Sequence, residues 1–511
     1  MCFNPTTLPQ ASMHPALRVA EIRHLICEAI GADELKGILA ALAQTCQAFF
    51  QPAIKVLWAA VELGYWLRYT MPEDVWNGDW YFGTSRVLSL RRDIVVQDWT
   101  RSVIYSPFIR RLICPASGGT ALDVAQSLGG ILICPPPETC FVSLRYLTWH
   151  QNNLTAMRPF LGPNLTSLHI WTPCLVGTID ESMKFLLEVS RRFSRTMRDI
   201  GFHFDTSDNR GPADLISSLF AVYADLRCAS AHVANQQALI FLGALPRLQS
   251  LSVTFVTDLE DFATLAADRS FFPSLQALEL QAVTQLEANL LFSALTTSPL
   301  STLHLGLRGL VLNSAFESLL ASITRGSQSE LRLLDISSLD HREDGDLWSL
   351  TLLTCSFFSS LTNISIESHV GFEITNESLG TLAQNLPHIA ELRLWAANSG
   401  GKHVTLPCLA SFAENCRSLR TLKIPLDACD VAWALSILAS RAFPRQRALR
   451  ELMVLNAGIE RPSDVAAYLS ILFGALKKIT TMADEGDEGV YDGAYAESTS
   501  ASYWEEVHRL L

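Results

Sequence analysis

Apolar residues recur along this chain in one short pattern, L-x-x-L-x-L, with Ile, Val, Phe, Met or another apolar residue standing in for Leu. Clear copies start at Leu144, Leu165, Leu248, Leu275, Leu300, Leu331, Leu361, Ile389, Leu419 and Leu449. Weaker copies at Ile109, Met197 and Leu226 fill the gaps, so thirteen starts lie between 109 and 449. Their mean spacing, about 28 residues, falls within the range of leucine-rich repeats. The last two apolar positions of each copy are two apart, which puts both side chains on one face of a short strand.

Helical spacing follows between the strands. Phe316, Leu319, Leu320 and Ile323 form one stripe, Leu379, Leu382 and Leu386 a second, and Leu409, Phe412 and Cys416 a third. Val465, Leu469, Leu472 and Leu476 form the last. A strand–loop–helix unit cannot cover its own apolar face, but stacked units can. The expected fold is therefore α/β: a leucine-rich-repeat solenoid over 109–479, with parallel concave strands and convex helices. The Asn or Cys that usually follows such a strand and bonds its turn is present as Asn152 and at almost no other copy. Turn bonding elsewhere has to come from other groups.

Residues 14–62 read differently. Glu21, Ile22, Ile26 and Ile30 predict one short helix, and Ile38, Leu39, Leu42, Ala43, Cys46 and Phe49 a second. A third is expected from Pro52 through Ile54, Leu57 and Trp58, with proline at its start. So small a bundle cannot bury all of this apolar surface alone, which implies a partner face. The segments HPALRVAEIRHLICEAI and LAALAQTCQAFFQPAIKVLW resemble the F-box of fungal F-box/leucine-rich-repeat proteins. The likeness rests on E-I-x-x-x-I, L-A-x-T-C-x-A-F and P-A-I-x-x-L-W, and it departs from the family at Ala20, where Pro is usual. PEDVW (72–76) and VQDWTR (96–101) resemble the connector of those proteins.

The resemblance implies a small all-helical F-box-like domain at 14–62 and a connector or N-terminal cap at 63–108. It further implies a substrate-recognition subunit that binds a Skp-type adaptor within a cullin ubiquitin-ligase complex and holds a target protein on its repeats. Its adaptor-facing positions would be Pro15, Ile22, Ile26, Leu42, Cys46 and Phe49, each of which also suits the interior of a three-helix packing. The alternative is a repeat scaffold for protein interaction with no ubiquitin role, its helical segment a plain cap.

Composition narrows the class. The 511 residues are 49% hydrophobic and 18% charged, enough for a large core. Mean hydropathy is +0.21, yet no stretch reaches the ~20 uncharged apolar residues of a membrane span. Net charge is −12, with 39 basic against 51 acidic residues, which argues against a nucleic-acid partner. Much of that charge lies in an acidic tail, expected over 480–511, that closes in a short helix using Trp504, Val507 and Leu511. Residues 1–13 carry no secretory pattern and are expected to be disordered. Twelve scattered cysteines without C-x-x-C fit reduced thiols in a cytoplasmic or nuclear protein.

No catalytic motif is present, so no enzyme activity, cofactor or metal is expected. Gly118, Gly119, Gly129 and Gly130 read as turn residues, and Asp340, Glu343, Asp344 and Asp346 as a solvated loop. The positions between the inward leucines should face the concave side. Five of the 12 histidines fall on them: His150, His169, His203, His232 and His304. With Tyr146, Trp171 and Trp395 they suit a target-binding face. Histidines there are expected to make binding pH-sensitive near pH 6–7.

Overall fold

The computed structural model describes residues 14–511 except 33–34, 78–79, 83–84, 117–123, 173–178, 205–209, 260–261, 263–270, 296–297, 310, 327–330, 340–346, 351–352, 354–357, 397–403, 441–442, 456–457 and 482–498. Residues 1–13, Gly118 and Gly119, the acidic cluster Asp340–Asp346 and most of the acidic tail thus lie outside the described residues. The chain divides into two compact units, Met1–Val233 and Ala234–Leu511.

The first unit begins with helices Pro15–Arg18, Ala20–Ala32, Lys36–Thr45 and Gln47–Leu57. Ala20 holds the first position of its helix even without proline, because the chain already breaks at Val19 in an extended conformation (φ −76°, ψ 121°). Cys27, Leu39, Ala43, Phe49, Ala53 and Ile54 form the core of this head, with Tyr105 and Phe108 packed against it. The expected helix start at Pro52 is corrected: the helix begins at Gln47, and Pro52 lies inside it. Phe49, Ala53 and Ile54 are buried along that one helix, so packing outweighs the hydrogen bond that the proline forfeits.

A charge knot fixes the connector. Arg92 donates two hydrogen bonds to Asp98 (2.7 and 2.8 Å) and one to Asp74 (2.8 Å), tying together the two connector motifs. Asp98 is buried and also accepts from the Val95 amide (2.9 Å). The Arg92 guanidinium holds its carboxyl below the usual carboxylate range, against the opposing pull of burial. Beside it Trp66 stacks on Trp99 at 5.7 Å and meets Phe141 at 4.9 Å. Gly129 and Gly130 are helical, within Leu128–Ile133, rather than in a turn. A Cβ on Gly130 would come within 2.3 Å of a Leu90 methyl, so close packing explains that glycine.

The repeats follow the sequence pattern. In the first unit, Leu112, Leu147, Leu168, Ile200 and Ala229 stand in one parallel register, including all three weak copies. In the second, Leu251, Leu278, Leu303, Leu334, Ile364, Leu392, Leu422 and Leu452 do the same. All of these side chains are buried. The helices of the expected stripes are Asn313–Gly326, Asn376–Asn385, Cys408–Asn415 and Pro462–Leu472. Leu386 and Cys416 cap theirs from one residue beyond, and Leu476 is corrected to the loop after the last of these helices. Each unit is thus a parallel α/β solenoid. Strands without the motif extend these rows: Ala60–Glu62, paired with Arg111–Ile113 at the N-terminal edge, and Lys478–Thr481, paired with Glu451–Val454.

Turn bonding comes from the backbone. At successive repeat starts within each unit, two adjacent amides converge on one carbonyl of the preceding repeat. Arg145 and Tyr146 donate to Arg110 (2.9 and 3.0 Å), Arg198 and Asp199 to Thr166, and Arg227 and Cys228 to Arg198. The second unit repeats this from Gln276 and Ala277, which donate to Gln249, through Lys477 and Lys478, which donate to Arg450. Side chains on the return loops add rungs: Asn164 donates to Val142 O, Ser274 to Pro246 O, Ser298 to Phe272 O and Gln446 to Leu419 O. Asn152 accepts from the Thr172 hydroxyl of the next strand (3.1 Å). Paired groups of this kind let the loops be buried without stranding polar atoms.

The second unit ends in the helix Thr499–Leu510, which packs on Lys478–Thr481 and on Pro462–Leu472. Trp504 and Val507 are buried there as expected, whereas Leu511 is exposed because the helix stops before it.

Candidate functional site

Alternation along the strands of the first unit sends every second side chain to the polar face of the sheet. Because the strands are in register, these side chains form rows. The first is Arg111, Tyr146, Ser167, Asp199 and Cys228; the second includes Thr148, His169, Gly201 and Ser230. In the third, Trp171 pairs with His203, and His203 and His232 each follow the paired residues Phe202 and Ala231 by one position.

The third row is a stack of rings. His150 lies 5.8 Å from Trp171 with 13° between planes, and His203 lies 3.6 Å from Trp171 on its other side with 3° between planes. His203 Nε2 also meets the Ser230 hydroxyl at 3.0 Å. In the second row His169 Nε2 lies 3.1 Å from Asp199 Oδ2, which accepts from the Ser167 hydroxyl at 2.8 Å. Gly201 makes this possible: a Cβ there would meet His169 Nδ1 at 2.4 Å and Ser230 Oγ at 2.5 Å. Tyr146 is exposed, with the Arg111 guanidinium 5.2 Å above its ring.

Electrostatics corrects one expectation. Burial, followed by the charges of His169, His232 and His150, pushes the His203 imidazole down to about 3. Burial also lowers His150. His203 therefore stays neutral across pH 6–7 and supplies no charge change in that range. Burial raises the Asp199 carboxyl, but hydrogen bonds from His169 and Ser167 outweigh it, for a net shift downward.

Trp395, the remaining predicted anchor, belongs to the second unit. The Lys423 ammonium lies 5.6 Å from its ring, and His369 meets it edge-on at 6.4 Å. Cross-strand polar contacts occur elsewhere on that face: His304 Nδ1 lies 3.1 Å from Asp335, Lys478 pairs with Glu451 (2.8 Å), and Asn363 donates to Glu391 (2.9 Å).

On the head, Pro15 is exposed, and Ile22, Ile26, Leu42 and Cys46 are half-buried. Phe49 differs from the other adaptor candidates: at 8% exposure it is part of the internal core. The sequence reading missed Leu25 (63% exposed), Ile38 (51%), Phe50 (39%), Val19 and Leu35. Leu25 and Ile22 share a helix face at i, i+3, so the helical wheel held that signal, whereas Leu35 caps the next helix from outside it.

The Ser230–His203 contact does not form a catalytic arrangement among the described residues, because no carboxylate orients the other ring nitrogen. Among the described residues no group of His, Cys, Asp and Glu could hold a metal, and no helix is long and apolar enough to cross a membrane. The described cysteines are free thiols. What the face of the first unit can offer is recognition: rigid rings, exposed edges, and hydrogen-bonding groups held in place by their neighbours.

No protein-family model matches the chain, and no curated protein matches it. Among solved structures it is similar to one described as "Crystal structure of Rad7 and Elc1 complex in yeast". Identity is 13%, with 91% of this chain and 94% of that chain covered, at a TM-score of 0.36. That degree of likeness carries no argument, and the α/β solenoid rests on the paired strands themselves.

Proposed function

We propose that this chain is a substrate receptor. Its head docks a Skp-type adaptor of a cullin ubiquitin ligase, and the polar face of its repeats holds a target protein. The observation that carries the reading is the head's division of labour. One side of its helices closes a core around Leu39, Phe49 and Ile54, while Leu25, Ile38 and Phe50 remain in solvent. Exposed apolar side chains of this kind, one on each of three helices, fit a helical partner. For the target, the ordered rings of His150, Trp171 and His203 supply anchors that cost little conformational entropy to bind.

The test is capture of a purified Skp-type adaptor by the full-length chain. Wild type binds, and Ile22→Asp or Leu25→Asp abolishes capture without altering the melting temperature. A wild-type chain that captures no adaptor leaves an interaction scaffold as the reading.

A further inference from the structure

The last repeats of the second unit carry an array of cations that the reading above does not use. The segment RAFPRQRALR at 441–450 holds four arginines, and CRSLR precedes it at 416–420. Arg420, Arg450 and Lys477 occupy the same place in three successive repeats. The Arg450 amide donates to the Arg420 carbonyl, and the Lys477 amide to the Arg450 carbonyl, both at 2.9 Å. Neighbouring chains so bonded are about 4.8 Å apart.

A second row lies three residues earlier, at Arg417 and Arg447. In the third repeat that place is Gly474, and Arg445 fills it: a Cβ on Gly474 would meet Arg445 Nε at 2.6 Å and Cζ at 3.2 Å. All six cationic side chains are exposed. Among the described residues none of them is ion-paired, and Glu451, next in sequence to Arg450, is taken by Lys478 at 2.8 Å. Like charges aligned across neighbouring strands repel and cost stability. An array of this kind is repaid when anionic groups bind it.

We infer that this double row is a docking site for an acidic segment of a partner protein. Guanidinium groups pair with carboxylates through two parallel hydrogen bonds, which favours Arg over Lys in such a role. Three repeats span about 10 Å, which is three or four residues of extended peptide. A nucleic acid fits less well, because no exposed aromatic ring stands among these residues for a base to stack on. The inference is independent of the head and of the first unit's face.

The test is fluorescence anisotropy with the full-length chain and a labelled Glu/Ser peptide of about ten residues, at about 50 mM salt, where surface charges are weakly screened. Binding is saturable and weakens as salt rises. Arg420→Ala/Arg450→Ala/Lys477→Ala lowers affinity at least about tenfold with a melting temperature no lower than that of wild type, since the exposed side chains repel one another. Gly474→Ala, which displaces Arg445, lowers it by a smaller factor. Arg110→Ala/Arg145→Ala/Arg227→Ala, at the same repeat position in the first unit, leaves it unchanged.

Several results overturn the inference: no saturable binding, equal loss in the first-unit control, or tighter binding to a single-stranded oligonucleotide of equal charge. Peptide binding that emerges only when the carboxylates of 484–497 are changed to amides also overturns it, and assigns the array to the chain's own acidic stretch.

Discussion

Trp171 and His203, on adjacent parallel strands, lie face to face with ring centroids 3.6 Å apart and 3° between planes. Burial, followed by the charges of His169, His232 and His150, makes that imidazole hard to protonate, so a neutral ring lies against the indole.

A pH dependence follows, with its sign fixed by the direction of the shift. The folded value for His203 is about 3, well below the ordinary ~6.5 of an unfolded histidine. Between those values the unfolded chain binds the extra proton. Stability is therefore full above about pH 6.5 and falls as pH drops towards 3, by up to about 1.4 kcal/mol per pH unit. Melting curves from pH 7.5 to 4 measure the slope. His203→Phe keeps a stackable ring without a titrating group, and its melting temperature should vary less over that range.

Gly201→Ala should destabilise the first unit. Its methyl enters the space between His169 Nδ1 and Ser230 Oγ, and overpacking of this kind costs about 1–3 kcal/mol. The displaced His169 would also leave Asp199, whose carboxyl then titrates higher than in wild type. Carboxyl NMR signals read that second effect, which a general loss of stability would not produce.

Arg92→Ala leaves Asp98 buried without its partner, and removing one member of such a pair costs about 3–5 kcal/mol. Asp98→Asn keeps the shape and should cost less. The Asp98 carboxyl is held below its ordinary value, so its contribution is present above about pH 4 and lost as pH falls through the folded value. Urea unfolding of both variants at neutral and acid pH tests the order.

Two neighbouring phenylalanines should separate folding from binding. Phe49→Ala opens the core of the head at a cost of about 3–5 kcal/mol. Phe50→Ala removes a side chain that is 39% exposed and should leave stability within about 0.5 kcal/mol. Adaptor capture should fall in both variants, but after Phe50→Ala it falls with the melting curve unchanged.

Trp504→Ala should uncover the last strand. The helix Thr499–Leu510 packs on Lys478–Thr481 with Trp504 and Val507 buried, and an uncovered edge strand recruits other chains. Light scattering on gentle heating should rise earlier for the variant than for wild type.

Much of this architecture could be read before any coordinates. Leu112, Ile200 and Ala229 belong to the weakest copies of the pattern, yet they fall in register with the strongest. The row His150, Trp171 and His203 was visible because one position recurs in successive repeats. What stayed hidden depends on neighbours remote in sequence. Gly130 has no room for a side chain because of Leu90, and the depressed basicity of His203 arises from burial and from three other histidines. Phe49 and Phe50 look equivalent in the sequence, and only the packing of Gln47–Leu57 tells which one faces the interior.

The paired amides at successive repeat starts make the register indifferent to which side chains stand there. Arg, Thr, Ser, Gln, Ala and Lys all occupy that place in different repeats, while the distance between repeats ranges from 21 residues (Leu144 to Leu165) to 35 (Ile109 to Leu144). A molecule stitched through its main chain can drift at most of its surface and still stack. Evolution is then free to rewrite the rows of rings and cations that face a partner, and ancestry would fade from such a sequence long before its shape.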